Sequence, residues 1–431
     1  VNRQRNNFQQ LMKRWDGDHP YNAIHGVRLT GGADADKLSR AAGDELRDSG
    51  ISRLIEGPGD WDYRLEPSPE PVPVTVLEPA TEAEAAFAAL AQLELNRAFD
   101  ETDQRFPIRL FVIPLPQGHV VALSYRHWVA DGWTIAYLLH CILCRYVNET
   151  PASEPAARDW NGPGYGPVFK PHLSFGRSFS LVYRMTQMWQ RLRTCYAPRA
   201  GDKELLGVEV LMPRLSDDTL PRLLAFAKRR EVTVNDVFLA AIAEGVGRGD
   251  SYRLRRERRH DLALSSILDL RFLAGDRLAH TAGVYLGWFT AVCRSQDVKD
   301  FDKVLVRIAE QTAFIKRSRT FLRSVVELEL GHRAFHAVWQ GEAPRYYRKH
   351  FPMAGGVSNM RLPPEWFPGP LGARFQGYLR ASPAGPMVPL TFSPTSAGGK
   401  LQLAFVVRTL GYRKPAIDAI IDIVRSRLAN L

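Results

Sequence analysis

The sequence predicts an α/β protein built from two domains, and three observations carry that prediction. Strand-like and helix-like segments mix along the whole chain, as layered α/β architectures require. At 431 residues the chain exceeds what one hydrophobic core usually supports. The charge is split: residues 1–170 hold 17 basic and 23 acidic side chains, a net of −6, whereas residues 171–431 hold 40 and 23, a net of +17. An acidic front joined to a basic back reads as two units, the second facing something anionic.

Taken in order, residues 20–29 (PYNAIHGVRL) read as an extended strand. Helical apolar spacing then runs from Ala35 to Leu54 and stops near Gly57-Pro58-Gly59. The Pro-rich passage PSPEPVPVTVLEP carries a short extended segment before the helical run TEAEAAFAALAQLELN. Two strands, Pro107–Leu115 and His119–His127, flank the hairpin signal Pro116-Gln117-Gly118. Residues 133–147 place Ile135, Leu138, Leu139, Ile142, Leu143 and Tyr146 on one helical face. Composition shifts to Pro, Gly, Ala and Asn between Pro151 and Gly166, a boundary signal. The domains are therefore placed at 1–165 and 204–431, with 166–203 as a crossover containing a basic amphipathic helix near 174–197.

In the second unit Gly207–Met212 reads as a strand and Asp217–Arg230 as a helix. Thr233, followed three residues later by Asp236, opens a capping box for the helix VNDVFLAAIAEGV. The run Gly245-Val246-Gly247-Arg248-Gly249 ends that helix and reads as its C-cap, not as a nucleotide loop. Leu262–Leu270 is an apolar strand ending at Arg271; two more strands lie near Phe375–Leu379 and Leu401–Arg408, and a helix follows from Pro415.

Composition excludes several classes. With 45% hydrophobic and 24% charged residues the chain is not disordered. No apolar run approaches the ~18–20 residues of a membrane-spanning helix. The start, VNRQRNNFQQLMKRW, has charge but no apolar stretch, so no secretory signal is expected. Four cysteines in this length are no disulfide framework, and a cytoplasmic location is expected.

The sharpest local feature is Tyr125-Arg126-His127-Trp128-Val129-Ala130-Asp131-Gly132. Strand alternation sets Val121, Leu123, Tyr125 and His127 on one face and Ala122, Ser124 and Arg126 on the other. His127 thus emerges at a strand end, where an imidazole titrating near 6.5 can serve as a base. Asp131 stands at the following helix start, as a cap or as the partner of a distant cation, and Gly132 permits close backbone approach. Read alone, this pair fits catalysis or a packed histidine beside a cap.

With its preceding strand and following apolar helix, RHWVADG resembles the HHxxxDG motif of the condensation-domain and chloramphenicol-acetyltransferase-like acyltransferase superfamily. TVNDVFLAAIAEGV, SSILDLR ending in Arg271, GVYLGWF, and GGVSNMRLP with Ser358-Asn359 resemble later segments of the same family, in order and across nearly the whole chain. The resemblance implies two acetyltransferase-like domains forming a pseudo-dimer, with the active site between them. It makes His127 the catalytic base, Asp131 the structural partner of Arg271, and Gly132 part of the tight turn. Arg126, Trp128, Ser358 and Asn359 are expected to line the site.

The implied activity is transfer of an acyl group from a carrier-protein or coenzyme A thioester to an alcohol or amine, in lipid or secondary-metabolite biosynthesis. The donor is a phosphopantetheine thioester, with no permanently bound cofactor and no metal. Arg126 replaces the first motif histidine, which keeps open a catalytically silent docking domain. No DFGWG-like segment is seen, which disfavours the plant branch, and no adenylation or carrier sequence is present, so a free-standing enzyme is expected.

Weaker signals complete the reading. Cys141 and Cys144 lie within a helix without a second pair and read as buried cysteines rather than zinc ligands. His332 and His336 have ligand-like spacing but no third ligand. Phe179, Val182, Tyr183, Met185, Met188, Trp189 and Leu192 accompany Arg177, Arg184, Arg191 and Arg193. Residues 175–196 therefore fit either a crossover helix with a solvated basic edge or peripheral contact with a membrane surface or acyl substrate. The membrane option keeps a wax-ester or diacylglycerol-type lipid acyltransferase open. Basic clusters at Lys228-Arg229-Arg230, Arg253–Arg259 and Lys316–Arg323 lack interleaved stacking aromatics, so nucleic acid is not an expected partner.

Overall fold

The computed structural model describes residues 2–57, 62–148, 160, 162, 164–173, 175–198, 207–251, 259–275, 278, 281–328, 347, 349–367, 369–409 and 411–431. In chain order its strands are β1 (Asn2–Gln4), β2 (Asn22–Leu29), β3 (Arg53–Glu56), β4 (Asp62–Glu66), β5 (Val74–Val76), β6 (Ile108–Leu115), β7 (Gly118–Arg126) and β8 (Val208–Leu211). They continue as β9 (Leu262–Asp269), β10 (Leu286–Cys293), β11 (Gly355–Val357), β12 (Met360–Arg361), β13 (Phe375–Ala381), β14 (Leu390–Phe392), β15 (Thr395–Ala397), β16 (Lys400–Gln402) and β17 (Phe405–Arg408). The α-helices are α1 (Asn7–Asp18), α2 (Ala35–Asp48), α3 (Ala83–Leu95), α4 (Gly132–Tyr146), α5 (Tyr165–Phe169), α6 (Phe175–Leu192), α7 (Thr219–Arg229), α8 (Val234–Gly249), α9 (Phe301–Ser318), α10 (Pro370–Arg374) and α11 (Lys414–Ala429).

Two sheets frame the molecule. The first runs β13-β2-β7-β6-β5 and the second β10-β9-β11-β14-β17-β8. The β6–β7 hairpin closes with Leu115 opposite Gly118. Gly118 has φ +123°, and a Cβ there would lie 2.0 Å from the Leu29 carbonyl oxygen, so only glycine fits this turn. Alternation along β7 divides its side chains as the sequence implies. Val121, Leu123 and Tyr125 join the large core, while Val120 and Ala122 pack with Phe87 and Leu90 of α3. The outermost strand of the first sheet, β13, comes from far down the chain and pairs antiparallel with β2, Arg380 opposite His25.

Several local expectations are corrected. The helical run expected to Leu54 stops at Asp48: Gly50 adopts φ +70°, and Leu54 enters β3 opposite Leu65. The N-terminal helix α1 was not expected, yet Asn6 and Gln9 cap it reciprocally. Gly245, Gly247 and Gly249 lie inside α8, not at its C-cap, which is Asp250. A Cβ at Gly247 would fall 2.5 Å from Val298, and one at Gly245 2.8 Å from Val424 of α11, so these glycines let neighbouring elements pack closely. Among the described residues no helix is long and apolar enough to cross a membrane.

On α6, Leu181, Met185 and Leu192 are buried, while Phe179 (74% exposed), Tyr183 (60%) and Trp189 (44%) face outward. Apolar side chains thus occupy both its packed and its open side.

Candidate active site

His127 follows β7 directly, and its backbone N–H donates to the Tyr21 carbonyl at 3.1 Å. The imidazole stacks on the Tyr21 ring (centroids 5.7 Å, planes 12° apart) and meets Tyr125 edge-on at 5.6 Å. Its Nδ1 lies 3.1 Å from the Ala130 carbonyl oxygen. A carbonyl can only accept, so the neutral ring carries its proton on Nδ1 and presents Nε2 as a base. Burial is the largest influence on its pKa and lowers it below the ordinary histidine value, outweighing the Ala130 hydrogen bond and the Asp131 charge, which favour protonation.

The turn carrying His127 is held by a buried charge network. Asp131 caps α4 by accepting from the Thr134 N–H at 3.0 Å. Its other oxygen accepts from Arg271 Nη1 at 2.7 Å and from the Tyr285 N–H at 3.1 Å. Arg271, 6% exposed, follows β9 and also donates to Thr134 Oγ1, Asp269 and the carbonyls of Thr281 and Gly283. Its guanidinium lies over the Trp133 and Tyr285 rings at 5.2 and 5.0 Å. The pair joins the first half of the chain to the second at the point where His127 emerges.

Beside this network is a cavity of about 310 Å³ with walls from both sheets. Tyr21, His127 and Gly132 contribute from one side; Ser265, Asp269 and Trp288 contribute from β9 and β10. Ser358 and Asn359, just after β11, line it too. Most of the remaining wall is apolar or aromatic, including Trp15, Trp133 and Met360.

Two expected lining residues do not line it. Arg126 points to the opposite face of β7 and forms an ion pair with Asp16 at 2.7 Å, as strand alternation dictates. Trp128 is fully buried in the core, edge-on to Tyr63 with the Arg5 guanidinium 4.6 Å from its ring. The turn after β7 rotates it inward. Conversely, Tyr21, Trp15 and Arg380 belong to the cavity and were not singled out in the sequence. Each reaches it through pairing or packing across long chain separations. Only Tyr21 had a local clue, its place at the start of the strand that pairs with β7.

Cys141 and Cys144 are buried within α4, with Cys144 Sγ 3.6 Å from His140 Nε2. Among the described residues no group of three or more metal-ligating side chains occurs. His332 and His336 lie outside the described residues, as does most of the Arg253–Arg259 cluster.

No protein-family profile matches the chain, and no curated protein does. Solved structures resemble it over its whole length. The SgcC5 protein from Streptomyces globisporus superposes with TM-score 0.67 at 14% identity, covering 99% of this chain and 98% of that one. VibH, a condensation enzyme of nonribosomal peptide synthesis, gives 0.59 at 14% (98% and 94%), and the condensation domain of the monacolin K polyketide synthase MokA 0.61 at 14% (100% and 97%). The chain spans 45% of the length of the nonribosomal peptide synthetase FmoA3, with TM-score 0.66 at 17% identity. At such identities the likeness is one of fold alone: the chain shares the two-lobed α/β fold of these condensation-domain structures.

Proposed function

We propose that the chain is a condensation-type acyltransferase that moves an acyl group from a phosphopantetheine thioester, on a carrier protein or coenzyme A, to an alcohol or amine. The observation that carries this reading is a neutral His127, its Nδ1 committed to the Ala130 carbonyl, lining a cavity beside the turn that the buried Asp131–Arg271 pair pins. The residue boundaries 1–165, 166–203 and 204–431 belong to the same reading.

A thioester is already activated, so the protein chiefly has to place the acceptor against its carbonyl carbon. His127 Nε2 takes the acceptor proton as the new C–O or C–N bond forms. As the C–S bond breaks, the imidazolium returns that proton to the leaving thiolate. No acyl-enzyme forms and no metal takes part. Asp131 and Arg271 act as positioning residues, fixing the turn rather than touching substrate. A panel of acyl-loaded carrier proteins and coenzyme A esters, offered alcohols and amines and followed by intact mass, tests the proposal. Acyl loss that depends on an acceptor is expected; no transfer from any donor would leave the docking-domain reading instead.

A second reading places the same chemistry at a lipid surface, and α6 favours it. Exposed Phe179, Tyr183 and Trp189 stand among Arg184, Arg191 and Arg193, and no acidic residue occurs between Asp159 and Asp202. Exposed aromatic side chains with cationic ones along the same stretch suit an anionic bilayer. Co-sedimentation with phosphatidylglycerol vesicles, lost in a Phe179→Ser/Trp189→Ser variant, is expected; no sedimentation of the wild type removes this reading.

A further inference from the structure

Five arginines among the described residues are nearly inaccessible, and four of them are ion-paired. Arg5 pairs with Glu56, Arg126 with Asp16, Arg271 with Asp131 and Arg323 with Glu327. Arg380 on β13, 3% exposed, is the exception. Its Nε donates to Thr395 Oγ1 at 3.0 Å and its Nη1 to Ser358 Oγ at 3.1 Å and Ser382 Oγ at 2.7 Å. Nη2 donates to the carbonyls of Ser358 and of Pro394, the latter at 3.2 Å. All five N–H groups therefore rest on neutral oxygens.

Hydrogen bonds satisfy the donors but do not neutralise the charge. A buried cation without a counter-charge costs several kcal/mol, and burial accordingly pulls the Arg380 pKa down to about 10, with only the Tyr125 and Tyr378 phenols favouring the charge. Arg380 also acts electrostatically on His127 and His25, lowering both. The uncompensated charge thus sits at the cavity where His127 opens.

Two of the three hydroxyls it touches face the same space. Ser358, Ser382 and Arg380 all line the cavity. Ser358 Oγ accepts from Arg380 and, at 3.4 Å, from Ser382 Oγ, which leaves its own hydrogen free to donate. Exposed Asn359 adds an amide beside it. A free hydroxyl donor backed by a guanidinium, with an amide beside it, is a seat for an anion, and the aromatic walls around it suit an apolar frame.

We infer that Arg380, acting through the Ser358 hydroxyl to which it and Ser382 both donate, binds a carboxylate carried by the small-molecule substrate on an apolar or aromatic frame. This rests on the acyl-transfer reading only for the word substrate; the binding itself is independent of turnover. The missing counter-charge arrives with the ligand. Once seated, it also offsets the influence of Arg380 on His127, so the base strengthens when the site is filled.

Matched pairs test it: benzoate, phenylacetate and 3-phenylpropanoate against their primary amides, titrated calorimetrically into the intact chain. At least one acid should bind about tenfold or more tightly than its amide. Arg380→Met should abolish that preference, and Ser358→Ala, a cavity-wall change that keeps the guanidinium, should reduce it by about threefold or more. Equal or undetectable binding of acids and amides by the wild type overturns the inference. Acid preference surviving in a folded Arg380→Met chain overturns it too, as does preference undiminished in Ser358→Ala should Arg380→Met not fold. If Arg380→Met slows acyl transfer while leaving acid preference intact, the charge serves the transition state and the carboxylate seat is wrong. Acid preference without any acyl transfer would instead retain the seat and reject the acyltransferase reading.

Discussion

Replacing Asp131 by Asn separates two roles that the native carboxylate combines. One oxygen caps α4 at the Thr134 N–H and the other meets Arg271 Nη1 and the Tyr285 N–H. Asparagine is as good an N-cap as aspartate, so its carbonyl can keep the first contact. Its amide then faces two donors, and Arg271 loses its buried counter-charge. Breaking a buried pair from one side costs about 3–5 kcal/mol. Asp269 remains 3.2 Å from Arg271 with a partly exposed carboxylate, which argues for the lower end, about 3 kcal/mol. Asp131→Ala should add about 1 kcal/mol for the lost cap. Urea unfolding at pH 7, followed by tryptophan fluorescence and far-ultraviolet circular dichroism, reads both values. Because the pair is buried, the cost should change little between 0.15 and 0.5 M salt. The double variant Asp131→Asn/Arg271→Met should lose at least about 1 kcal/mol less than the two single losses combined. A cost below about 1 kcal/mol for Asp131→Asn, or one that salt erases, would refute the claim that this pair pins the catalytic turn.

Three further outcomes follow from the structure. Acyl transfer should fall with acid only below the ordinary histidine range, because burial lowers the His127 pKa; a rate midpoint at or above 6.5 would contradict that. His140 is held neutral by burial, with a pKa of about 4, while stacked on Trp366 at 4.6 Å. The native state resists a proton that the unfolded chain accepts, so stability is lost as pH falls below 6.5; His140→Phe should spare roughly 2 kcal/mol of that loss at pH 5, and equal acid sensitivity in both chains would refute it. Gly247→Ala sets a Cβ 2.5 Å from Val298 and should destabilise by about 1–3 kcal/mol, whereas Gly17→Ala in α1 meets open space and should stabilise by about 0.5–1 kcal/mol; reversed signs in thermal melts would sink the packing argument.

Much of this molecule is written in local patterns. Period-two alternation in His119–His127 is enough to place His127 and Arg126 on opposite faces, and Thr233 with Asp236 announces the start of α8. The charge split marks a basic second half, although its consequence is local: Arg271 is neutralised by Asp131, and Arg380 is not. What local patterns do not carry is set by long-range packing. Trp128 belongs to a core built with Arg5 and Tyr63, 123 and 65 residues before it in no readable period. Arg380 reaches His25 only because β13 crosses to the first sheet, and no spacing in the chain encodes that pairing. Apolar residues on α6 were legible as a group, but which of them stay open depends on what α6 packs against.

The central claim is that His127 takes the acceptor proton. Single-turnover transfer from a thioester donor, compared between the wild type and a His127→Ala chain shown to be folded by circular dichroism, tests it most directly. Loss of a general base should slow transfer by about 10²–10⁴-fold while donor binding is retained. Transfer by His127→Ala within about threefold of the wild-type rate would contradict the account.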